Sequence, residues 1–320
     1  MLPPHVGSTV LTVGTFDGVH LGHLDVLVRL VQRAKETGRA SMLLTFEPHP
    51  LELLRPDKAP GLLTTRNEKL AAVASTGLDY VAILPFTRAL ANHSAEEFVD
   101  LVLRARFQMA ELLIGHDHGF GRGRAGDVET LRTLGAARGF RVDVVTPVQA
   151  SDGQPVSSTR IRQAVAAGQL GAAAGSLGRH YSVAGEVVAG DARGRVLGFP
   201  TINVVPESPR KLLPPDGVYA VHVETPRGRF GGMLNLGGRP TFGDDRRTIE
   251  AHLFDAAGEF YGAAVQVAFI SRLRATQRFS GPDELMRQLV ADEEAARRAL
   301  TLIGEPGNLK GSMHFPPSTP

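Results

Sequence analysis

The chain contains no cysteine. That absence excludes disulfides, thiolate metal sites and a cysteine nucleophile together, and it makes the cytoplasm the expected setting. There is no apolar run of roughly 18 residues or more, so no membrane-spanning helix and no membrane partner are expected. The opening stretch "MLPPHVGSTV" has neither the basic start nor the apolar core of a secretory signal. No "GxxxxGK[ST]" occurs, which excludes a Walker-type phosphate loop. An excess of charge of one sign is also lacking. A net charge of +2 and a pI near 9.1, with the arginines scattered, do not make a nucleic-acid-binding surface, and no nucleic-acid partner is expected.

What remains is an ordinary globular composition, 42% hydrophobic and 21% charged, on a chain of 320 residues. That length accommodates two domains, each with its own core. The first half alternates strand and helix signals. "STVLTVGTF" precedes "HLDVLVRLVQRAKETG", where Leu24, Leu27, Val28 and Val31 recur at helical spacing and Gly38 is a natural stop. "ASMLLTF", "YVAILPF" and "ELLIG" each precede a further helical stretch, and "RVDVVTPV" closes the series. The pattern predicts a doubly wound parallel α/β sheet, with ligands at the carboxyl ends of its strands. After "SSTRIRQAVAAGQL" the rhythm changes to short alternating segments separated by Gly, Pro and Asp, followed by the helix "PDELMRQLVADEEAARRAL". A small antiparallel β-barrel with a C-terminal helix is expected there. The expected divisions are 1–168, a small-residue connector 169–180, 181–303, and a disordered tail 304–320.

"GTFDGVHLGH", residues 14–23, falls between the first strand and the first helix. His20 and His23 are then expected at a helix N-terminus, whose free N–H groups favour anions. Gly14, Gly18 and Gly22 allow close approach of the backbone to a bulky ligand. These features suit a triphosphate cradle. Two incidental surface histidines, or a metal site lacking an evident third ligand, are the alternatives. "VSSTRIR" places Ser157, Ser158 and Thr159 at another helix start with Arg162 one turn in, which suits either a phosphate contact or a plain serine cap.

"GTFDGVHLGH" and "SSTRIR" together resemble the signature of the adenylyl- and cytidylyltransferase superfamily. "TFEPHP", "GFGRGRAGD", "GRVLGFPTINV", "DGVYAV", "LNLGGRPTFG" and "IEAHLFD" follow in order. With them the chain, from about Val10 to Leu300, is similar to the bacterial bifunctional riboflavin kinase/FMN adenylyltransferases.

The resemblance implies two ATP-dependent reactions, with riboflavin, FMN and ATP as small-molecule partners. In the first half, the FMN phosphate attacks the α-phosphate of ATP and pyrophosphate leaves. His20 and His23 would serve the ATP phosphates, helped by Gly14, Thr15, Gly18, Gly22 and Thr159. Ser157, Ser158 and Arg162 would hold the departing phosphates, and Asp17 would organise Mg²⁺ or the turn. Asp117 and Phe120 match flavin-side positions, although His118 and Gly119 replace the aromatic and arginine usual there. In the second half riboflavin is phosphorylated, and the family's catalytic glutamate falls on Glu250. Strand periodicity agrees: Ile249, Ala251 and Leu253 form an apolar face, with Glu250 and His252 opposite. His252 is read as a packing group or as a support for the residues around Glu250. Thr201 and Asn203 in "FPTIN" would hold Mg²⁺ and ATP phosphate, Ile202 standing where the family has alanine. Gly198 belongs to the glycine-rich stretch before them, and Arg274 matches an arginine near the flavin.

Two patterns are set aside. "GRGRAG" satisfies G-x-G-x-x-G, but its first glycine stands several residues beyond the strand "ELLIG", whereas a dinucleotide fingerprint follows its strand directly. "HDH" at 116–118 is not read as a metal site. Three rivals remain: a transferase with one activity and a decayed barrel, a flavin carrier or flavin-responsive regulator without catalysis, and a cytidylyl- or pantetheine-phosphate transferase with an RNA-reading barrel. The sequence assigns no oligomeric state.

Overall fold

The structure is a computed structural model that describes residues 2–115, 119–190, 194, 197–238 and 247–303. The described chain forms two compact units, residues 2–60 with Arg66–Ser157, and Gly61–Thr65 with residues 158–303.

In the first unit β1 (Thr9–Val13), β2 (Ala40–Glu47), β3 (Tyr80–Pro85), β4 (Met109–Gly115) and β5 (Arg141–Val145) form a parallel sheet of order β3-β2-β1-β4-β5. The buried strands alternate between two cores. Val10, Leu43 and Leu113 face α1 (Leu21–Thr37) and α3 (Arg66–Ala74), which follows the short α2 (Pro50–Leu54). Leu11, Leu44, Leu112 and Ile114 face the other side. There α4 (Arg88–Ala91) and α5 (Ala95–Glu97) lead into a π-helical segment, Phe98–Arg104, followed later by α6 (Val128–Arg138). Helix α1 ends where expected, at Gly38 with φ +63°. Successive strands are added on one side of β1 and then on the other, so the order reverses between β1 and β4. Ligands collect at the carboxyl ends of strands beside such a switch point. The histidine loop leaves β1 there.

The second unit opens with α7 (Ser158–Ala166) and α8 (Leu170–Leu177). A closed antiparallel barrel follows, of order β10-β7-β6-β11-β8-β9. Its strands are β6 (Ser182–Val188), β7 (Ile202–Pro206), β8 (Gly217–Thr225), β9 (Gly228–Gly238), β10 (Arg247–Leu253) and β11 (Ala264–Arg274). Closure leaves no unpaired sheet edge. Val183, Leu234, Leu236, Ile249, Ala251 and Val267 fill the barrel around Tyr219 and Phe269, whose rings meet edge-on at 5.2 Å. Helix α9 (Pro282–Ile303) packs Ala296, Met286 and Leu289 against Ala220, Met233 and Ile270 on the outside.

Three details depart from the sequence expectation. The units divide at Ser157/Ser158, earlier than residue 168. The small-residue connector is largely the helix α8, because Leu170, Ala173 and Leu177 recur on one face and become buried, and alanine favours helix. Gly61–Thr65 pairs with the second unit: Leu62 exchanges backbone hydrogen bonds with Arg210 and Leu212, and Lys211 Nζ donates to the Leu63 carbonyl at 2.6 Å. The tail 304–320 lies outside the described residues.

Candidate functional site

The loop after β1 is buried and conformationally costly. Asp17 is 2% exposed, Val19 0% and His20 6%. Phe16 and Val19 take positive φ, +47° and +38°, and Gly18 takes +87°. A positive φ at a residue other than glycine costs about 1–3 kcal/mol and persists only where surrounding packing imposes it. Here Phe16 and Val19 are held in the cluster with Leu27 and Leu43.

His20 is the N-cap of α1. Its Nδ1 accepts the His23 backbone N–H at 3.3 Å, so the ring proton resides on Nε2. The two imidazoles stack at 3.6 Å, with the Phe16 ring 4.5 Å beyond His23. Two of the glycines make room for these rings. A Cβ on Gly22 would press on the His20 imidazole, and one on Gly14 on the Phe16 ring. The close approach read from these glycines is therefore met within the chain itself.

Lys69, on α3, was not singled out in the sequence. Its Nζ donates to the Thr15 carbonyl at 2.8 Å, which also accepts from Thr45 Oγ1 at 3.1 Å. Burial holds the Lys69 ammonium below the ordinary lysine pKa, while Asp17 and Glu47 pull it back up. A lysine three residues into an amphipathic helix reads as a solvated side chain. Only the spatial order of β1, β2 and α3 reveals it.

Ser157 closes the first unit, while Ser158, Thr159 and Arg162 lie on α7 in the second, where Arg162 Nε donates to the Gly61 carbonyl at 2.9 Å. Phe120 packs 5.0 Å from Phe98. Asp117, with the rest of "HDH", lies outside the described residues. Gly121 and Gly123 take left-handed backbone at a 3₁₀ turn, and a Cβ on Gly121 would run into the backbone of Ala95. The rejected dinucleotide fingerprint is thus a packed turn.

In the barrel, Glu250 pairs directly with Asn203 across the β10–β7 ladder. Both point outward, their neighbours Ile249, Ala251, Ile202 and Val204 being buried inside. Asn203 lies over Gly190, where a Cβ would collide with its carboxamide. That bare backbone is the cradle on which the outward-facing carboxamide lies. Gly194 is similarly crowded by the Phe199 carbonyl and accepts the Leu197 and Phe199 N–H groups, and Gly198 takes φ +78°. His252 Nδ1 donates to the Pro200 carbonyl at 2.8 Å and meets Phe199 and Phe254 edge-on. It thereby ties the Glu250 strand to the residue preceding Thr201. Arg274 points to Asp292 of α9, with Nε and Nη2 donating to its carboxylate at 2.6–3.1 Å and Nη1 to the Ala275 carbonyl. Asp292 also accepts from Gln288. Among the described residues no three His, Asp or Glu side chains gather as a metal cluster.

A switch-point loop that caps a helix with histidine, and a closed barrel bearing a carboxylate beside a cradled asparagine, are the two candidate sites of the chain. Residues 3–160 match the FAD synthetase family and residues 177–300 the riboflavin kinase family. The bifunctional riboflavin kinase/FMN adenylyltransferase of Escherichia coli K12 is 40% identical over 292 residues, 90% of this chain and 91% of that one. The Bacillus subtilis 168 protein of that name is 34% identical over 297 residues, 91% and 92% of the two chains. The chain belongs to the bifunctional riboflavin kinase/FMN adenylyltransferases, with the adenylyltransferase domain first and the kinase domain second. The crystal structure of a macrolide-efflux protein from Streptococcus pneumoniae is also similar, with a TM-score of 0.83 and 32% identity over 93% of this chain and 95% of that one. Among the described residues here, no helix is long and apolar enough to cross a membrane.

Proposed function

We propose that the two activities of the family are carried by two separate residue sets, His20 and His23 for adenylyl transfer and Glu250 with Thr201 and Asn203 for riboflavin phosphorylation. The observation that carries the second assignment is the register of Glu250 against Asn203 on the outer barrel face.

In the kinase step, Glu250 takes the proton of the riboflavin 5′-hydroxyl as that oxygen attacks the γ-phosphorus of ATP. ADP leaves, and FMN is formed. An alcohol needs such a base, and positioned bases of this kind contribute about 10²–10⁴-fold. The oxygen donors of Thr201 and Asn203 suit Mg²⁺, which would neutralise phosphate charge when bound. Gly190 and the His252–Pro200 hydrogen bond keep those donors in place, and Gly198 lets the preceding loop turn. Arg274, oriented by Asp292, faces the flavin.

In the adenylyl step the FMN phosphate is already ionised and needs no base. It attacks the α-phosphorus of ATP, and pyrophosphate leaves. The Nε2–H of His20 and the imidazole of His23 donate to the phosphates where charge develops. The loop Gly14–Thr15–Asp17–Gly18–Gly22 holds the histidines, and the Asp17 carboxylate balances Lys69. Ser157, Ser158, Thr159 and Arg162 serve the leaving pyrophosphate, and Asp117 and Phe120 the flavin. The proposed setting is the cytoplasm, in keeping with the lack of cysteine.

The test is a product assay. Purified protein is incubated with riboflavin, ATP and Mg²⁺, and the flavins are separated by chromatography. FMN appearing before FAD supports both assignments. FAD from added FMN without turnover of riboflavin would remove the kinase assignment, and FMN alone would remove the adenylyl one.

A further inference from the structure

The outer face of β9 changes character over a few residues. Gly231 and Met233 lie under α9: a Cβ on Gly231 would press on Leu300, and Met233 packs in the cluster with Ala296. Asn235, next on that face, is exposed between the fully buried Leu234 and Leu236. It stands where the cover of the helix ends.

The register places Asn235 directly opposite Glu250, which faces Asn203 on its other side. Opposed residues of an antiparallel pair project from one face, with Cβ atoms about 4.5–5.5 Å apart. The carboxylate therefore stands between two carboxamides. They differ in surroundings: Asn203 rests on Gly190, whereas the Asn235 side chain makes no hydrogen bond among the described residues. Beyond Asn235 the same face continues as Gly237, over which Thr276 and Asp216 lie.

We infer that Asn235 is a substrate-binding residue of the kinase half, donating its amide N–H to a hydroxyl of the ribityl chain of riboflavin. The inference rests on the reading of Glu250 as the base. If Glu250 meets the terminal hydroxyl and Asn203 serves the phosphate side, the remaining polyol arm has the opposite flank to occupy. That flank is Asn235. A carboxamide carries two N–H donors and an acceptor oxygen, which suits adjacent hydroxyls.

The test uses the full chain with Asn235→Ala and Asn235→Asp, the second keeping the shape without the N–H donors. Riboflavin binding is read from quenching of flavin fluorescence, and kinase kinetics are measured against riboflavin and ATP separately. Both variants are expected to weaken riboflavin Kd and KM roughly fivefold, the scale of one net hydrogen bond. The KM for ATP and FAD formation from supplied FMN should stay at wild-type values. An unchanged riboflavin Kd, a change confined to the ATP KM, or full function in Asn235→Asp would each overturn the inference. If the wild-type chain bound riboflavin without phosphorylating it, the Glu250 reading would fail first, and the role of Asn235 beside it would fall too.

Discussion

The ammonium of Lys69 lies 2.8 Å from the carbonyl oxygen of Thr15, the second residue beyond the central strand β1. One charged donor from α3 thus fixes the backbone just before Phe16 and Val19, the two residues with positive φ. Substituting Lys69 by Met removes that donor while keeping the stem. A hydrogen bond from a charged group is worth about 1.5–3 kcal/mol, so FAD formation should fall roughly 10- to 100-fold. FMN formation from riboflavin, measured in the same preparation, should be unchanged.

The same lysine gives a pH dependence. Its pKa is lowered by burial, so it loses its proton at a lower pH than an exposed lysine. FAD formation should therefore decline on the alkaline side below the ordinary lysine value, and Lys69→Met should lack that limb. For stability the sign is opposite. The unfolded chain holds this proton more tightly, so the cost of the buried charge is relieved as pH rises from the lowered folded value toward the unfolded one. Denaturation of the wild type and Lys69→Met across that window should show the difference between them narrowing or reversing.

His20 both caps α1 and stacks on His23, and substitutions separate these duties. Asparagine is a good N-cap without an imidazole. His20→Asn should keep the melting temperature and lose FAD formation, whereas His20→Ala should also lose about 1 kcal/mol of stability. His23→Ala should cost on the order of 10²-fold in FAD formation, the scale for one transition-state donor. Near wild-type rates in His23→Ala would remove it from the phosphate site.

The strand, the loop and the helix start that carry this candidate site were legible in the sequence, because the apolar run of β1, the glycines and the paired histidines are local signals. Gly38 ended α1 for the same reason. What stayed hidden depends on contacts distant along the chain. Lys69 reaches Thr15 from 54 residues away. Arg274 turns toward Asp292, 18 residues further on, and Leu62 pairs near Lys211 through a bridge that no periodicity announces. In the barrel the alternation of β10 was enough to orient Glu250. The register that sets Asn203 on one side and Asn235 on the other required the strand order.

Glu250 and Gly190 test the kinase half from two directions. Glu250→Gln removes the base and should lower FMN formation by about 10²–10⁴-fold. FAD formation from supplied FMN should persist. Gly190→Ala leaves Glu250 in place but drives a methyl into the Asn203 carboxamide. Its kinase loss should appear chiefly as a raised requirement for Mg²⁺ and ATP, measured by titrating each. A loss in kcat alone, with both requirements unchanged, would separate Asn203 from the phosphate side.

The pairing of Arg274 with Asp292 carries the last prediction. Asp292 is 4% exposed and accepts from both Arg274 and Gln288. Breaking a buried ion pair from one side costs about 3–5 kcal/mol, because the remaining charge keeps its burial and loses its partner. The Arg274 side chain retains 21% exposure, so water relieves part of that cost and the low end, about 3 kcal/mol, is expected for Asp292→Ala. Chemical denaturation measures it. Asp292→Asn keeps an acceptor oxygen but only one, so it should restore part of the stability and leave the guanidinium less fixed. If Arg274 meets the flavin, riboflavin KM should rise in both variants while the ATP KM holds. A stability loss with riboflavin KM unchanged would make the pair a strut between β11 and α9 and nothing more.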